Sequence, residues 1–286
     1  MPCRGESCGG LKEDAEEAWS LWGSRNMNVY SFGAENAPVI MLFPGTCCHW
    51  KSNFERVIPL LADTYRVLCV SYDGFDETER TEFPTMLEET AKIEAYVKEA
   101  CGGHIRAAYG CSLGGSFVGL LAARGNIHMD YGILGSSDLD QASHFTAKLQ
   151  TNLLLPLIYP VIRDGQFKSR FLQKRLRKRA AEMGDYVQAF LDMLGGARPY
   201  VTLRSCKNQF YSDLVTPLPD QIDAPGTEIH IFYARKMGEK YRGRYARHFA
   251  RPVIHEQDLQ HEELLACCPE QWAALVKSIM EGAQSQ

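Results

Sequence analysis

Two rhythms of apolar residues alternate along the first half of the chain. Residues 28–32 alternate apolar and polar as an edge strand would, while residues 38–43 form the unbroken apolar run of a strand buried on both faces. Residues 65–72, 107–110 and 131–135 read as further strands. Between them the period becomes helical: Phe54, Val57, Ile58 and Leu61 fall at i, i+3, i+4 and i+7 over residues 52–62. Residues 84–100 open with Thr85 and Glu88 at capping-box spacing, and a helix carrying Phe117, Leu120 and Leu121 runs to about Arg124. This alternation predicts an α/β fold, a doubly wound and mostly parallel sheet with helices on both faces.

The alternation stops near Asp140. Residues 140–225 read as helices and loops: an apolar segment at 153–162, a basic one to Arg179, then helical stretches at 186–194 and 200–214. Strand character returns at 228–234 and 252–255, and residues 269–280 close the chain as an amphipathic helix through Trp272, Leu275, Val276 and Ile279. The pattern predicts a sheet core over 26–139 and 226–286, interrupted by a helical cap over 140–225 whose 153–162 segment lines an apolar pocket. Residues 1–25, with one short acidic helix, are expected to form a loosely attached leader.

Composition changes this picture little. With 45% hydrophobic residues, 286 residues can bury a sizeable core. The formal charge of −4, from 31 basic and 35 acidic residues, gives no global sign of nucleic acid or an anionic surface as a partner, and no nucleic acid is expected. No apolar stretch reaches the about 18 residues of a membrane span, and residues 1–11 lack the basic-then-apolar layout of a signal peptide. Ten cysteines invite a disulfide reading, but several fall in predicted buried strands, others are adjacent (Cys47-Cys48, Cys267-Cys268), and no Cys-x-x-Cys occurs. Reduced thiols and a cytoplasmic location are expected. Residues 163–179 carry eight Lys or Arg and one Asp. A solvated helix face is the plainer reading, and a rim drawing an anionic substrate or membrane surface is the functional one.

Candidate chemistry concentrates at Gly110-Cys111-Ser112-Leu113-Gly114-Gly115, where an apolar strand runs through Gly-x-Ser-x-Gly into a small-residue helix. That pattern is a nucleophile elbow, which presents the central hydroxyl over the carboxyl end of the sheet. Two more motifs share the plan: Phe43-Pro44-Gly45-Thr46 ends an earlier apolar strand, and Gln260-His261-Glu262-Glu263-Leu264-Leu265 precedes Pro269 and the closing helix. With its order of elements, the chain resembles the α/β-hydrolase family of esterase- and lipase-like serine hydrolases over roughly residues 29–280.

The resemblance implies Ser112 as nucleophile, His261 as its base, and an oxyanion hole from the amides of Thr46 and Leu113. His261 is the one histidine of eight between the last predicted strand and the closing helix. His255, at the strand end, is the rival, and His49 reads as a pocket-wall or structural residue. Cys111 is expected to pack into the sheet. The acid departs from the family pattern, because the turn after the penultimate strand offers Met237 and Tyr241 at the usual positions. The expectation is therefore Asp138, in the loop after the strand that follows the elbow helix. Glu239, Asp140 and Asp258 are the alternatives, and Ser136-Ser137-Asp138 also reads as a helix cap. No phosphate-binding glycine loop and no His-Glu-x-x-His occurs, so neither cofactor nor metal is expected. The expected activity is cleavage of a small-molecule carboxylic ester or thioester through an acyl-enzyme. A peptidase, a carbon–carbon bond hydrolase or a non-catalytic binding member is the alternative on the same scaffold.

Overall fold

Each apolar run of the sheet core becomes a strand: β1 (Asn28–Phe32), β2 (Val39–Phe43), β3 (Arg66–Ser71), β4 (His104–Gly110), β5 (His128–Leu134), β6 (Glu228–Ala234) and β7 (Val253–Gln257). In this computed structural model, which describes residues 27–165, 167–194 and 198–282, they form one sheet in the order β1-β3-β2-β4-β5-β6-β7. The expected leader over 1–25 lies outside the described residues. Only the edge strand β1 runs antiparallel; every other pairing is parallel. Both faces of the sheet are covered, which is why β2 reads as continuous apolar sequence. Its Met41 and Phe43 enter one core cluster with Phe117, Leu134 and Tyr245, and its Ile40 and Leu42 enter another with Tyr109, Phe54 and Trp272.

The helices are α1 (Trp50–Phe54), α2 (Ile58–Ala62), α3 (Met86–Cys101), α4 (Leu113–Arg124), α5 (His144–Asp164), α6 (Arg170–Met183), α7 (Tyr186–Leu194), α8 (Leu203–Val215), α9 (Glu239–His248), α10 (Glu263–Cys267) and α11 (Pro269–Met280). The single helix predicted over 52–62 is two. Pro59 has no amide to donate and its ring would strike the Glu55 carbonyl, so the chain breaks before it and restarts with the proline in the first turn of α2. Helix α9 was not predicted, since its sequence EKYRGRYARH buries only Tyr245 and His248 and shows no apolar stripe. Between β5 and β6 the described residues hold four helices, α5 to α8, and no strand. Among them α5 packs on α8, and α7 packs on α10, the short helix just after His261.

After β2 the chain turns to one side to make β3 and then crosses to the other to make β4. This reversal opens a crevice between the carboxyl ends of β2 and β4. The Thr46 loop leaves from one and Ser112 from the other.

Candidate active site

The register Phe43↔Gly110 brings the ends of β2 and β4 level, and the Cys111 amide donates to the Phe43 carbonyl at 3.0 Å. The chain then reverses from strand into α4 within one residue, which forces Ser112 to φ 49°, ψ −113°. Such a conformation costs a non-glycine residue on the order of 1–3 kcal/mol and persists only when its surroundings over-determine it. They do so here. Gly110 and Gly114 lie so close that a Cβ on Gly110 would come within 2.1 Å of the Gly114 carbonyl. The Ser112 carbonyl accepts from the Gly115 amide at 2.9 Å and from the Ser137 hydroxyl.

The Ser112 amide is held by a residue that the sequence reading did not single out. Glu262 is buried beneath the elbow, and its Oε1 accepts from the Ser112 amide at 2.7 Å and the Ser136 amide at 2.8 Å. Its Oε2 accepts from the Tyr109 hydroxyl at 3.3 Å. Glu262 adopts a left-handed conformation, φ 56°, which sends its side chain under the elbow while its neighbour His261 turns to the serine. The signal available in sequence was a second acidic residue beside the histidine. Which of Glu262 and Glu263 goes inward depends on this backbone turn.

His261 Nε2 lies 3.1 Å from Ser112 Oγ, within hydrogen-bond reach of the pair expected from sequence. Helix α7 steadies that histidine: the Tyr186 hydroxyl donates to its carbonyl at 3.0 Å, and Phe190 meets its ring edge-to-face at 6.1 Å between centroids. His255, the rival, lies instead against His230, with Nε2 2.9 Å from His230 Nδ1. His49 caps α1, its Nδ1 accepting from the Lys51 amide, and burial together with the Arg198 charge lowers its pKa to about 4. Cys111 is buried at the cavity wall, with its thiol pushed well up by burial and then by the Glu262 charge, so it is held as the neutral thiol.

Among the described residues no carboxylate is hydrogen-bonded to His261 Nδ1. Asp138 is the nearest to that role. It is half-buried, burial and the Asp140 charge raise its pKa, and the charge of His261 opposes that rise. Its Oδ1 accepts from the Asp140 amide at 3.3 Å, and Arg244 donates to its carbonyl at 2.7 Å. The alternatives are engaged or exposed: Asp140 pairs with Arg244, Asp258 with Arg235 at 3.6 Å, and Glu239 is exposed in the first turn of α9.

Facing Ser112, the loop after β2 has its amides allotted one by one. Asn53 Oδ1 accepts from Gly45 N at 2.9 Å, and Gln209 Oε1 accepts from Cys47 N at 2.6 Å. Between them the Thr46 amide has no acceptor among the described residues, nor has the Leu113 amide at the start of α4. Two buried side chains, Asn53 from α1 and Gln209 from α8, therefore fix the loop and leave one donor free on each side of the serine. Sequence reading missed both, because each acts from a distant element.

Above these groups lies a cavity of about 220 Å³. Leu154, Leu155, Ile158 and Ile162 of α5, Phe190, Met193 and Leu194 of α7, and Phe210 of α8 supply its apolar wall, and Ser112, His261, Gly45 and Thr46 its floor. It suits an apolar ligand part with one polar group at the bottom. One group among the described residues could hold a metal ion, His104, His128 and Asp130. It sits at the opposite, amino end of β4 and β5, where Asp130 also pairs with Arg106 at 2.8 Å, and takes no part in this site.

A mostly parallel sheet with a strained serine at its topological switch point and a histidine against that serine is the geometry of the α/β-hydrolase class. The chain matches the family described as "alpha/beta hydrolase fold" over residues 38–188, and so belongs to the α/β hydrolase fold family and is, at that level, a hydrolase. None of the curated proteins compared by sequence matches it. Among solved structures it is similar to an α/β hydrolase family protein from Desulfitobacterium hafniense, with TM-score 0.73 and 18% identity over 88% of this chain and 100% of that one. It is likewise similar to a hydrolase from Pseudomonas aeruginosa PA01, with TM-score 0.67 and 14% identity over 91% and 100%. A thermophilic esterase from Thermogutta terrifontis gives TM-score 0.64 and 14% identity over 91% and 94%. At these identities the likeness is one of fold.

Proposed function

We propose that the chain is a serine hydrolase that cleaves a carboxylic ester or thioester through an acyl-enzyme. The observation that carries this reading is the 3.1 Å contact between Ser112 Oγ and His261 Nε2 beneath the apolar cavity. In the proposed cycle His261 takes the Ser112 proton as Oγ attacks the carbonyl carbon. The amides of Thr46 and Leu113 receive the oxyanion, and the protonated His261 then gives its proton to the departing alcohol or thiol. Water, activated by the same histidine, attacks the acyl-serine and regenerates the enzyme. An apolar acyl chain would occupy the α5 and α7 wall.

Asp138 is proposed as the acid, because it alone of the four candidates is withdrawn from solvent without a salt bridge of its own while feeling the charge of His261. Its ionised carboxylate would stabilise the imidazolium and favour the tautomer with Nε2 free. The decisive experiment is labelling with a fluorophosphonate probe. Wild type and Cys111→Ala should label and hydrolyse a short-chain ester, and Ser112→Ala should do neither. Persistent labelling of Ser112→Ala would remove Ser112 from its role.

A further inference from the structure

Eight large apolar side chains stand exposed among the described residues, and six of them, Phe145, Leu149, Leu153, Leu154, Leu157 and Phe171, lie on α5 and the start of α6. Four of these fall at i+4 intervals, 145, 149, 153 and 157, a ridge about 18 Å long at 1.5 Å per residue. Phe145 is 79% exposed, Leu153 64% and Phe171 71%. A helix that only roofed the cavity would need one apolar flank. Helix α5 has two: Leu155, Ile158 and Ile162 line the cavity, while the ridge faces solvent. Leu154 belongs to both, lining the cavity while 41% exposed, so the outer ridge and the cavity wall meet at one rim.

The next helix adds the charge. Helix α6 carries six Lys or Arg against one Glu in a chain whose net charge is −4. Arg170, Lys174, Arg175 and Lys178 are exposed, and Phe171 projects among them. Exposed apolar side chains on one helix, with an array of cations around Phe171 on the helix that follows it through residues 165–169, match an anionic bilayer, where the former enter the acyl boundary and the latter meet headgroups. A second copy of the chain fits less well, since a two-fold interface through this face would bring two such basic helices together. No described helix is long and apolar enough to cross a membrane.

We infer that the outer face of α5 and α6 docks onto an anionic lipid surface and delivers to the cavity an acyl ester dissolved in that surface. The delivery half rests on the serine hydrolase reading above; the docking half does not. Three measurements on the full chain separate them: co-sedimentation with vesicles of phosphatidylcholine alone or mixed equally with phosphatidylserine, turnover of a water-soluble short-chain ester, and sedimentation velocity. The variants are a triple Phe145→Ser, Leu149→Ser, Leu153→Ser and a double Lys174→Glu, Lys178→Glu, all outside the cavity.

Wild type should sediment with the mixed vesicles and much less with phosphatidylcholine, and salt should release it. Each cation removed should weaken the partition roughly fivefold, and each reversal more. Both variants should lose vesicle binding while hydrolysing the soluble ester at the wild-type rate. Absence of vesicle binding with ester turnover intact would overturn the docking and leave the hydrolase reading standing. Vesicle binding that both variants abolish, in a protein without turnover or probe labelling, would uphold the docking and remove the delivery. Binding unaffected by both variants would place the contact elsewhere and overturn the inference. So would a dimer that the triple variant dissociates in a protein indifferent to vesicles, which would assign the face to a second copy.

Discussion

Replacing Glu262 tests whether the elbow is held from beneath. Glu262→Ala leaves two buried amides, Ser112 N and Ser136 N, without the acceptor now 2.7 and 2.8 Å away. A buried donor deprived of its partner costs about 1–3 kcal/mol, so the pair costs about 2–6 kcal/mol. For a chain of this size that is a fall in Tm of roughly 5–20 °C. Glu262→Gln keeps one oxygen for both amides and presents its NH2 to the Tyr109 hydroxyl, which can turn to accept. It loses the charge assistance of the two bonds but also the cost of a buried carboxylate, and the net change should stay within about 1.5 kcal/mol. The same contrast should appear in turnover, because the Ser112 amide sets where Oγ points: kcat for a short-chain ester should fall strongly in the alanine variant and little in the glutamine variant. Thermal unfolding followed by circular dichroism, paired with ester kinetics, reads both. Support of the elbow by Glu262 would be refuted by a Glu262→Ala variant within about 1 kcal/mol of wild type, or by a glutamine variant as damaged as the alanine one.

Asp138→Asn should lower kcat by about a thousandfold or more with the fold intact, and a loss below tenfold would remove Asp138 from the role. Since burial and the Asp140 charge raise the Asp138 pKa and its ionised form is the one required, activity should fall as pH drops through a value above the ordinary carboxylate range. Asp140→Asn should move that acid limb to lower pH, and a limb that stays put would count against Asp138. Asp213, whose pKa is raised to about 8 by burial and then by the Asp138 charge, favours the neutral form on folding. Its contribution to stability is therefore complete below the unfolded carboxylate range and is lost as pH rises through about 8. Asp213→Asn should raise Tm most at pH 9, by less at pH 6 and little near pH 4; equal shifts at all three would refute the titration. Gly110→Ala, whose Cβ would meet Gly114 backbone at 2.1 Å, should cost above about 3 kcal/mol or prevent folding, as judged by soluble yield and urea unfolding.

Periodicity and one glycine-rich motif determined much of this protein in sequence alone. Strands buried on both faces must be apolar throughout, so residues 39–43 and 107–110 announced a covered parallel sheet, and only a few backbones permit Gly110-Cys111-Ser112-Leu113-Gly114 between a strand and a helix. The position of His261 before the closing helix was legible for the same reason of order. What the sequence could not carry was anything resting on contacts between distant segments or on one backbone angle. Asn53 and Gln209 select the Thr46 amide by taking up its neighbours, and they come from helices 156 positions apart in the chain. Glu262 supports Ser112 across 150 residues, and which of two adjacent glutamates does so is decided by the left-handed turn at residue 262. Helix α9 left no apolar stripe to read because it buries little beyond Tyr245 and His248. Local pattern follows from which face of an element must leave water, whereas these pairings exist only once the sheet has set the ends of β2 and β4 side by side.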